Sequence, residues 1–487
     1  MINIKPAEAI NSKYDLIFIG SGFGSLFYLW GALKASSPNT KILILEKGSY
    51  LSHADQINKM QNSNIPPLSI IEIPNGHKQW NFTIGLGGGT NCWWAQTPRM
   101  MPEDFELYTR YQVGHDWPIS YTDIEPFYCL AERIMLLAGA DNPLFPRSMP
   151  YPLPPHLPST PDRIMMKHDP VHHTIMPTAR ASINTKNRAQ CCATARCNLC
   201  PVDAKFTALN GMADILSDPR VHILCEADVK ALHTEANNAA SAVVEVKGSY
   251  KEIRADFFVL GANAIFTPTI LKRSNIKHSL LGKGINEQLG YGIEVYLDGM
   301  NNFDGSTATT GLNYSLYAGE HRREAGAALV YFENRWTNTG LRLEIGKWRQ
   351  TLPIVINVED LLQSENYVEA PEDWDKKPIV HHQKHSEYAE KGLQRALRKL
   401  PELLSPLPVE DIKFLGKRGT ESHIQGTTRM GTDPRTSIVD EKLIHHTYRN
   451  LAIVGTSVFP NCPPANPSLT AAALSLYASH KQFGGVI

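Results

Sequence analysis

The chain carries no excess of charge of either sign: 48 Lys and Arg balance 48 Asp and Glu among 487 residues. The basic field that would gather nucleic acid or anionic lipid is therefore missing, and the expected partner is a small molecule. No apolar run reaches the ~20 residues needed to cross a bilayer as a helix. Residues 1–13 lack the basic start and apolar stretch of a secretory signal, so a cytoplasmic location is the expectation. Cysteine is sparse. Eight are present, at 92, 129, 191, 192, 197, 200, 225 and 462, and half fall within ten residues. A disulfide framework spread over the chain is excluded, and that cluster calls for its own explanation.

What remains is ordinary globular composition, 42% hydrophobic and 20% charged, in a chain long enough for two closely packed domains. Residues 14–20 (YDLIFIG) form a continuous apolar run ending in glycine. Helical composition follows over 26–35, then a second buried run, KILILE, over 41–46. Strand, glycine turn, helix and strand open a parallel βαβ unit. Residues 142–161 hold eight prolines, which excludes regular helix and central strand. From about 290 to 420 short alternating runs (GIEVYLDGM, GLNYSLY, AALVYFE, LRLEIGKW, LPIVINVE) predict an antiparallel sheet, followed by a helix over 387–404. LAIVG at 451–455 and a small-residue helix over 468–479 return to α/β character.

The first turn reads Gly20-Ser21-Gly22-Phe23-Gly24-Ser25. Gly20 permits the tight turn, Gly22 lets backbone approach a pyrophosphate, and amides at the helix start face the negative charge. Ser25 takes the third, small-residue position. Glu46 closes the second strand, where a carboxylate can accept from ribose hydroxyls. NAD and FAD share this fingerprint. Residues 85–98 (GLGGGTNCWWAQTP) add three successive glycines followed by polar and indole side chains, suited to backbone amides pressed against a flat ring.

At this point a resemblance emerges. Residues 85–98 resemble the second flavin-contact signature of the glucose–methanol–choline (GMC) oxidoreductases, an FAD family. Residues 115–132 (HDWPISYTDIEPFYCLAE) are similar to a block of its sugar-oxidising branches, and 259–274 (VLGANAIFTPTILKRS) to its strand and glycine turn near the flavin. Residues 423–440 (HIQGTTRMGTDPRTSIVD) and 450–474 (NLAIVGTSVFPNCPPANPSLTAAAL) resemble its C-terminal signature. The resemblance implies FAD contacts at Gly20, Gly22, Ser25, Glu46, Gly88, Gly89, Thr90, Asn91, Cys92, Val229, Gly261, Gly455 and Thr456. Gly455-Thr456 stands where many relatives have Asp-Gly. Cys92 takes a place where some relatives carry a histidine, in certain cases bonded to the flavin; a buried thiol packed on the ring is the plainer alternative.

The same resemblance places a general base at His423 and an orienting amide at Asn466. Alcohol oxidation needs such a base, because the O–H proton must leave as hydride departs from carbon. His445 and His446, nearby but outside any motif, are expected to be structural.

The cluster Cys191-Cys192-x4-Cys197-x2-Cys200 has thiol spacing that can ligate iron–sulfur or zinc. Some sugar dehydrogenases of the family carry a three-iron cluster in a similar segment, which makes a [3Fe-4S] centre one expectation. A thiol-rich loop without metal is the other.

These readings combine into one expectation: an α/β chain with a discontinuous Rossmann-like FAD-binding domain (residues 1–140, 186–288 and 421–487). A linker and an antiparallel-sheet substrate domain (141–185 and 289–420) are inserted in it. The expected reaction is oxidation of a CH–OH group of a sugar, polyol or glycoside, with oxygen or an external acceptor taking the electrons. The alternatives are a non-redox lyase on the same scaffold and an iron–sulfur electron-transfer protein.

Overall fold

In the computed structural model, which describes residues 2–74, 76, 78–336 and 342–485, the continuous apolar runs pair as parallel strands. The first sheet is built from β1 (Lys13–Ile19), β2 (Ile42–Leu45), β4 (Val221–Leu224), β5 (Ala227–Glu235), β6 (Asn238–Val246), β7 (Ser249–Leu260) and β15 (Leu451–Ile453). Its order is β4-β2-β1-β7-β6-β5, with β15 also paired to β7. Contacts among β4, β2, β1, β7 and β15 are parallel, while β5, β6 and the start of β7 form an antiparallel meander. Strands whose residues are apolar on both faces need cover on both faces. Helix α1 (Phe23–Ala35) supplies one cover and packs in turn against the helix Ser468–Phe483. Nine of the thirteen α1 residues are buried, so its apolar surface is not confined to one stripe.

The second sheet is antiparallel throughout, in the order β14-β8-β11-β10-β9-β3. Its strands are β3 (His173–Ile175), β8 (Leu289–Leu297), β9 (Thr309–Asn313), β10 (Ala328–Glu333), β11 (Thr351–Val358) and β14 (Val409–Lys417); β12 (Tyr367–Glu369) and β13 (Ile379–His381) form a separate pair. Successive side chains alternate between faces. Val330 and Phe332 of β10, Ile356 of β11 and Ile293 of β8 share a core with Ala389, Leu393, Ala396 and Leu400 of the helix Glu387–Leu403. The opposite face of the same strands, with Gly292, Tyr331, Glu333, Val355 and Asn357, borders a large cavity.

One expected strand is absent. Residues 342–348 of LRLEIGKW form turns and irregular backbone. Arg342 turns inward, donating to Leu297 O, Gln350 O and Glu410, while Leu343 and Ile345 face solvent. The alternation in this run is reversed relative to a core strand. The proline-rich stretch is irregular as expected, and Pro161 sits in the first turn of the helix Thr160–His168, where a missing N–H costs nothing.

Candidate functional site

The cavity measures about 1550 Å³, more than the ~300–1,000 Å³ typical of a pocket for one small ligand. Its floor is the β1–α1 turn. Gly20 adopts a φ of +88°, and a Cβ there would lie 2.6 Å from Gly261 O. Gly22 is different. Its φ of −81° suits any residue, and an added Cβ would meet no protein atom within 4 Å. The same is true at Gly89. These two glycines leave room for something other than protein, while the N-terminal amides of α1 open onto the same space.

Ser21 ties the cradle together. Its N–H and Oγ–H donate to Glu46 Oε2 at 3.1 and 2.6 Å, and its Oγ accepts from Gly87 N at 3.0 Å. Glu46 also accepts from Gly48 N at 2.9 Å. Burial raises the Glu46 carboxyl above its ordinary value, against the pull of these donors.

Of the expected cofactor residues, Gly20, Gly22, Glu46, Gly88, Gly89, Cys92, Val229, Gly261, Gly455 and Thr456 line the cavity. Ser25, Thr90 and Asn91 are not among the lining residues. Ser25 is buried against Gly261. Thr90 Oγ1 donates to Gly87 O at 2.7 Å and accepts from Ala208 N at 3.0 Å. Asn91 donates to Leu86 O at 2.9 Å. All three brace the wall from behind.

His423 and Asn466 meet although 43 residues separate them. Backbone bonds from Gly426, Thr428 and Met430 to Thr456, Ser457 and Val458 lay one segment along the other. Thr456 Oγ1 adds a bond to Ile424 O at 2.6 Å. Asn466 Nδ2 then lies 3.1 Å from His423 Nε2, at the cavity wall. His423 Nδ1 faces Gln288 Oε1 at 3.0 Å. Tyr331 donates to Asn466 Oδ1 at 2.8 Å, and Gln96 Oε1 lies 3.4 Å from Asn466 Nδ2. Burial, aided by Arg418, pushes the His423 imidazole down to about 3, so it is neutral at working pH. Gln288 and Tyr331 carry no motif and were invisible in the sequence, while Gln96 lies within residues 85–98 but had no role assigned to it; tertiary folding brings the three together. His445 lies elsewhere, accepting from Thr447 N and Tyr448 N.

The remaining wall is polar and aromatic. Arg335 stacks over Trp94 at 4.8 Å and pairs with Glu333 at 2.5 Å. Arg418 pairs with Glu421 at 2.6 Å. Asn357 Oδ1 finds no partner among the described residues.

The cysteine loop forms a separate small void with Arg180 and Lys205. Among the described residues no three His, Cys, Asp or Glu side chains stand close enough to hold a metal ion. This arrangement lends no support to Cys191, Cys192, Cys197 and Cys200 as an iron–sulfur ligand set. Adjacent residues point apart: Cys191 contacts Thr307 Oγ1 and Cys192 contacts Thr194 Oγ1, both at 3.5 Å. Cys197 is buried beside Arg180 at 3.4 Å, and burial pushes its thiol up. Lys205 straps the loop to the cavity wall, donating to Asn91 O, Trp93 O and Asn198 O at 2.6, 3.1 and 3.3 Å.

Known proteins resemble this chain in sequence and in fold. Residues 363–475 match the family model described as GMC oxidoreductase. The chain is 27% identical over 436 residues to the fructose dehydrogenase large subunit of Gluconobacter japonicus, covering 81% of this chain and 79% of that one. It is 25% identical to 6'''-hydroxyparomomycin C oxidase of Streptomyces lividus, covering 98% and 92%. Among solved structures, pyridoxine 4-oxidase from Mesorbium loti superposes with a TM-score of 0.68 at 17% identity, covering 96% of this chain and 99% of that one. A formate oxidase of Aspergillus oryzae whose FAD modification is affected by mutation gives 0.65 at 14%, covering 97% and 99%.

Proposed function

We propose that this chain, whose residues 363–475 match the GMC oxidoreductase family model, oxidises a CH–OH group of a sugar, polyol or glycoside with FAD as cofactor. The observation that carries this reading is the pair His423 Nε2 and Asn466 Nδ2, 3.1 Å apart on the wall of a cavity floored by Gly22 and Gly89. The cradle fits the adenosine-diphosphate half of FAD: Gly22 leaves the space a pyrophosphate needs, α1 points its amides there, and Glu46 stands at the end of β2. Gly88, Gly89 and Cys92 would hold the ring side. When bound, FAD supplies the two-electron acceptor for hydride leaving the alcohol carbon.

The chain's own residues do the rest. A substrate hydroxyl placed between the two side chains donates to His423 Nε2 and accepts from Asn466 Nδ2. His423, neutral at rest, takes the hydroxyl proton as general base. Asn466 fixes the oxygen so that the carbon to be oxidised has one orientation. Asn357, with its unpartnered Oδ1, and Glu333 offer acceptors for further hydroxyls, and Trp94 an aromatic face. The sugar-acting relatives support the same substrate class.

The test is anaerobic addition of a sugar, polyol and glycoside panel to flavin-loaded protein. Loss of the oxidised flavin absorbance with at least one member is the expected result. A flavin that stays oxidised with every member, in protein that instead cleaves a substrate, would establish a non-redox lyase.

A further inference from the structure

We propose that Gln288 is a positioning residue that fixes the tautomer of His423, holding the hydrogen on Nδ1 and leaving Nε2 bare towards the cavity. The proposal rests on reading His423 as the base, and it explains how the nitrogen that meets substrate is kept ready to accept a proton.

Gln288 immediately precedes β8 and is 1% exposed. Its Nε2 donates to Pro463 O at 2.7 Å and to Ala465 O at 3.1 Å. Both carbonyls only accept, so this end of the amide must be the NH2 group. The other end is therefore the oxygen, and it faces His423 Nδ1 at 3.0 Å. An amide oxygen has no hydrogen to give. Nδ1 must donate, and in the neutral ring Nε2 must then carry the lone pair.

The far side is consistent with this direction. Tyr331 donates to Asn466 Oδ1, which turns Asn466 Nδ2 towards His423 Nε2. Every donor in the series Tyr331, Asn466, His423 and Gln288 then points consistently, ending on the carbonyls of the loop that carries Asn466. The reverse tautomer would set N–H against N–H at one end and two lone pairs together at the other.

The partner's chemistry matters as well as its place. A carboxylate at 288 would favour the imidazolium; a carboxamide accepts the same hydrogen without that bias. The charged groups around His423 are already committed. Glu287 accepts the His423 backbone N–H at 3.4 Å and pairs with Lys78. Arg418 pairs with Glu421, and Glu333 with Arg335. Tyr331 and Asn466 face the ring from the opposite wall without charge.

The test reads the ring directly and needs no substrate. Flavin-loaded protein labelled with 15N-histidine is compared by long-range 1H–15N correlation as wild type, Gln288→Leu and Gln288→Glu, with His423→Ala used to assign the resonance. Wild type should show Nδ1 protonated and Nε2 bare. Gln288→Leu should show a mixture of tautomers, and the near-isosteric Gln288→Glu should move the His423 titration upward by at least one pH unit. A purely structural Gln288 would change the unfolding midpoint and leave both signatures as in wild type. Wild type protonated on Nε2, or an unchanged tautomer in Gln288→Leu, would overturn the proposal. Normal flavin reduction in His423→Ala would instead sink the general-base reading while leaving the tautomer result intact.

Discussion

Tyr331 donates its phenolic hydrogen to Asn466 Oδ1 across 2.8 Å, and both side chains are buried. With Tyr331 as the donor, the Asn466 amide presents Nδ2 to His423. Replacing Tyr331 by phenylalanine removes that constraint and lets the amide turn its oxygen towards the lone pair of Nε2. A lost neutral hydrogen bond is worth about 0.5–1.5 kcal/mol, so flavin reduction should slow by roughly 2- to 13-fold. Single-turnover kinetics with a substrate from the panel measure it; an unchanged rate would show that Asn466 orients itself.

His423→Ala should leave the flavin spectrum intact and lower the flavin-reduction rate on the order of 10²–10⁴-fold, the usual loss for a positioned base. Anaerobic stopped-flow measurement gives the number. A variant as fast as wild type would remove His423 from the mechanism.

Gly22→Val should fold normally yet purify with depleted FAD. The backbone at Gly22 suits valine, and the new Cβ meets no protein atom within 4 Å; what it would strike is the cofactor. Gly24→Val makes the contrast, since its Cβ would lie 2.6 Å from Gly455 N, and it should lose stability as well. Flavin-to-protein absorbance ratios and unfolding midpoints separate the two. Full occupancy in Gly22→Val would show the cradle misplaced.

The protein should be acid-labile well before its carboxylates titrate. Burial holds His156, His321, His382 and His445 down at about 4 and His423 at about 3, against roughly 6.5 in an unfolded chain. Between those values the unfolded state binds more protons. The stabilisation is thus complete above about pH 6.5 and is lost as pH falls towards 4, each fully shifted group contributing up to about 1.4 kcal/mol per pH unit. Denaturant melts at pH 7, 6 and 5 test this. A midpoint constant down to pH 5 would contradict the buried neutral histidines.

Thiol labelling of the native protein should modify Cys192 first. Cys192 is exposed, whereas Cys129, Cys197 and Cys462 are buried. Peptide mapping after brief alkylation gives the order; early modification of Cys197 would show that the loop opens readily in solution.

How much of this was readable in advance varies with the physics of each part. β1, α1 and β2 were legible because apolar runs bounded by glycine leave few other structures. β8, β10 and β11 were legible through alternation. Residues 342–348 misled because Arg342 is the buried member and its apolar neighbours are not. His423 and Asn466 could be located by motif, yet nothing along the chain announced Gln288 or Tyr331, which stand 135 residues from each partner and reach the site only through the sheet. Ser25, Thr90 and Asn91 sit within the right motifs but face inward, a distinction that local sequence does not encode. The cysteine spacing suggested shared ligation, whereas consecutive thiols point to different neighbours.

The two faces of β10 have a consequence for how new specificities could arise. Val330 and Phe332 are committed to the packing beneath the helix Glu387–Leu403, while Tyr331 and Glu333 belong to the cavity. Exchange at Glu333, Val355 or Asn357 can therefore alter which hydroxyl pattern is welcome without disturbing the hydrophobic layer behind it. An insertion of one residue would do the reverse and swap the two sets at once. Diversification of this scaffold should accordingly proceed by point replacement at every second position of these strands, and lineages that gain or lose single residues there should be rare.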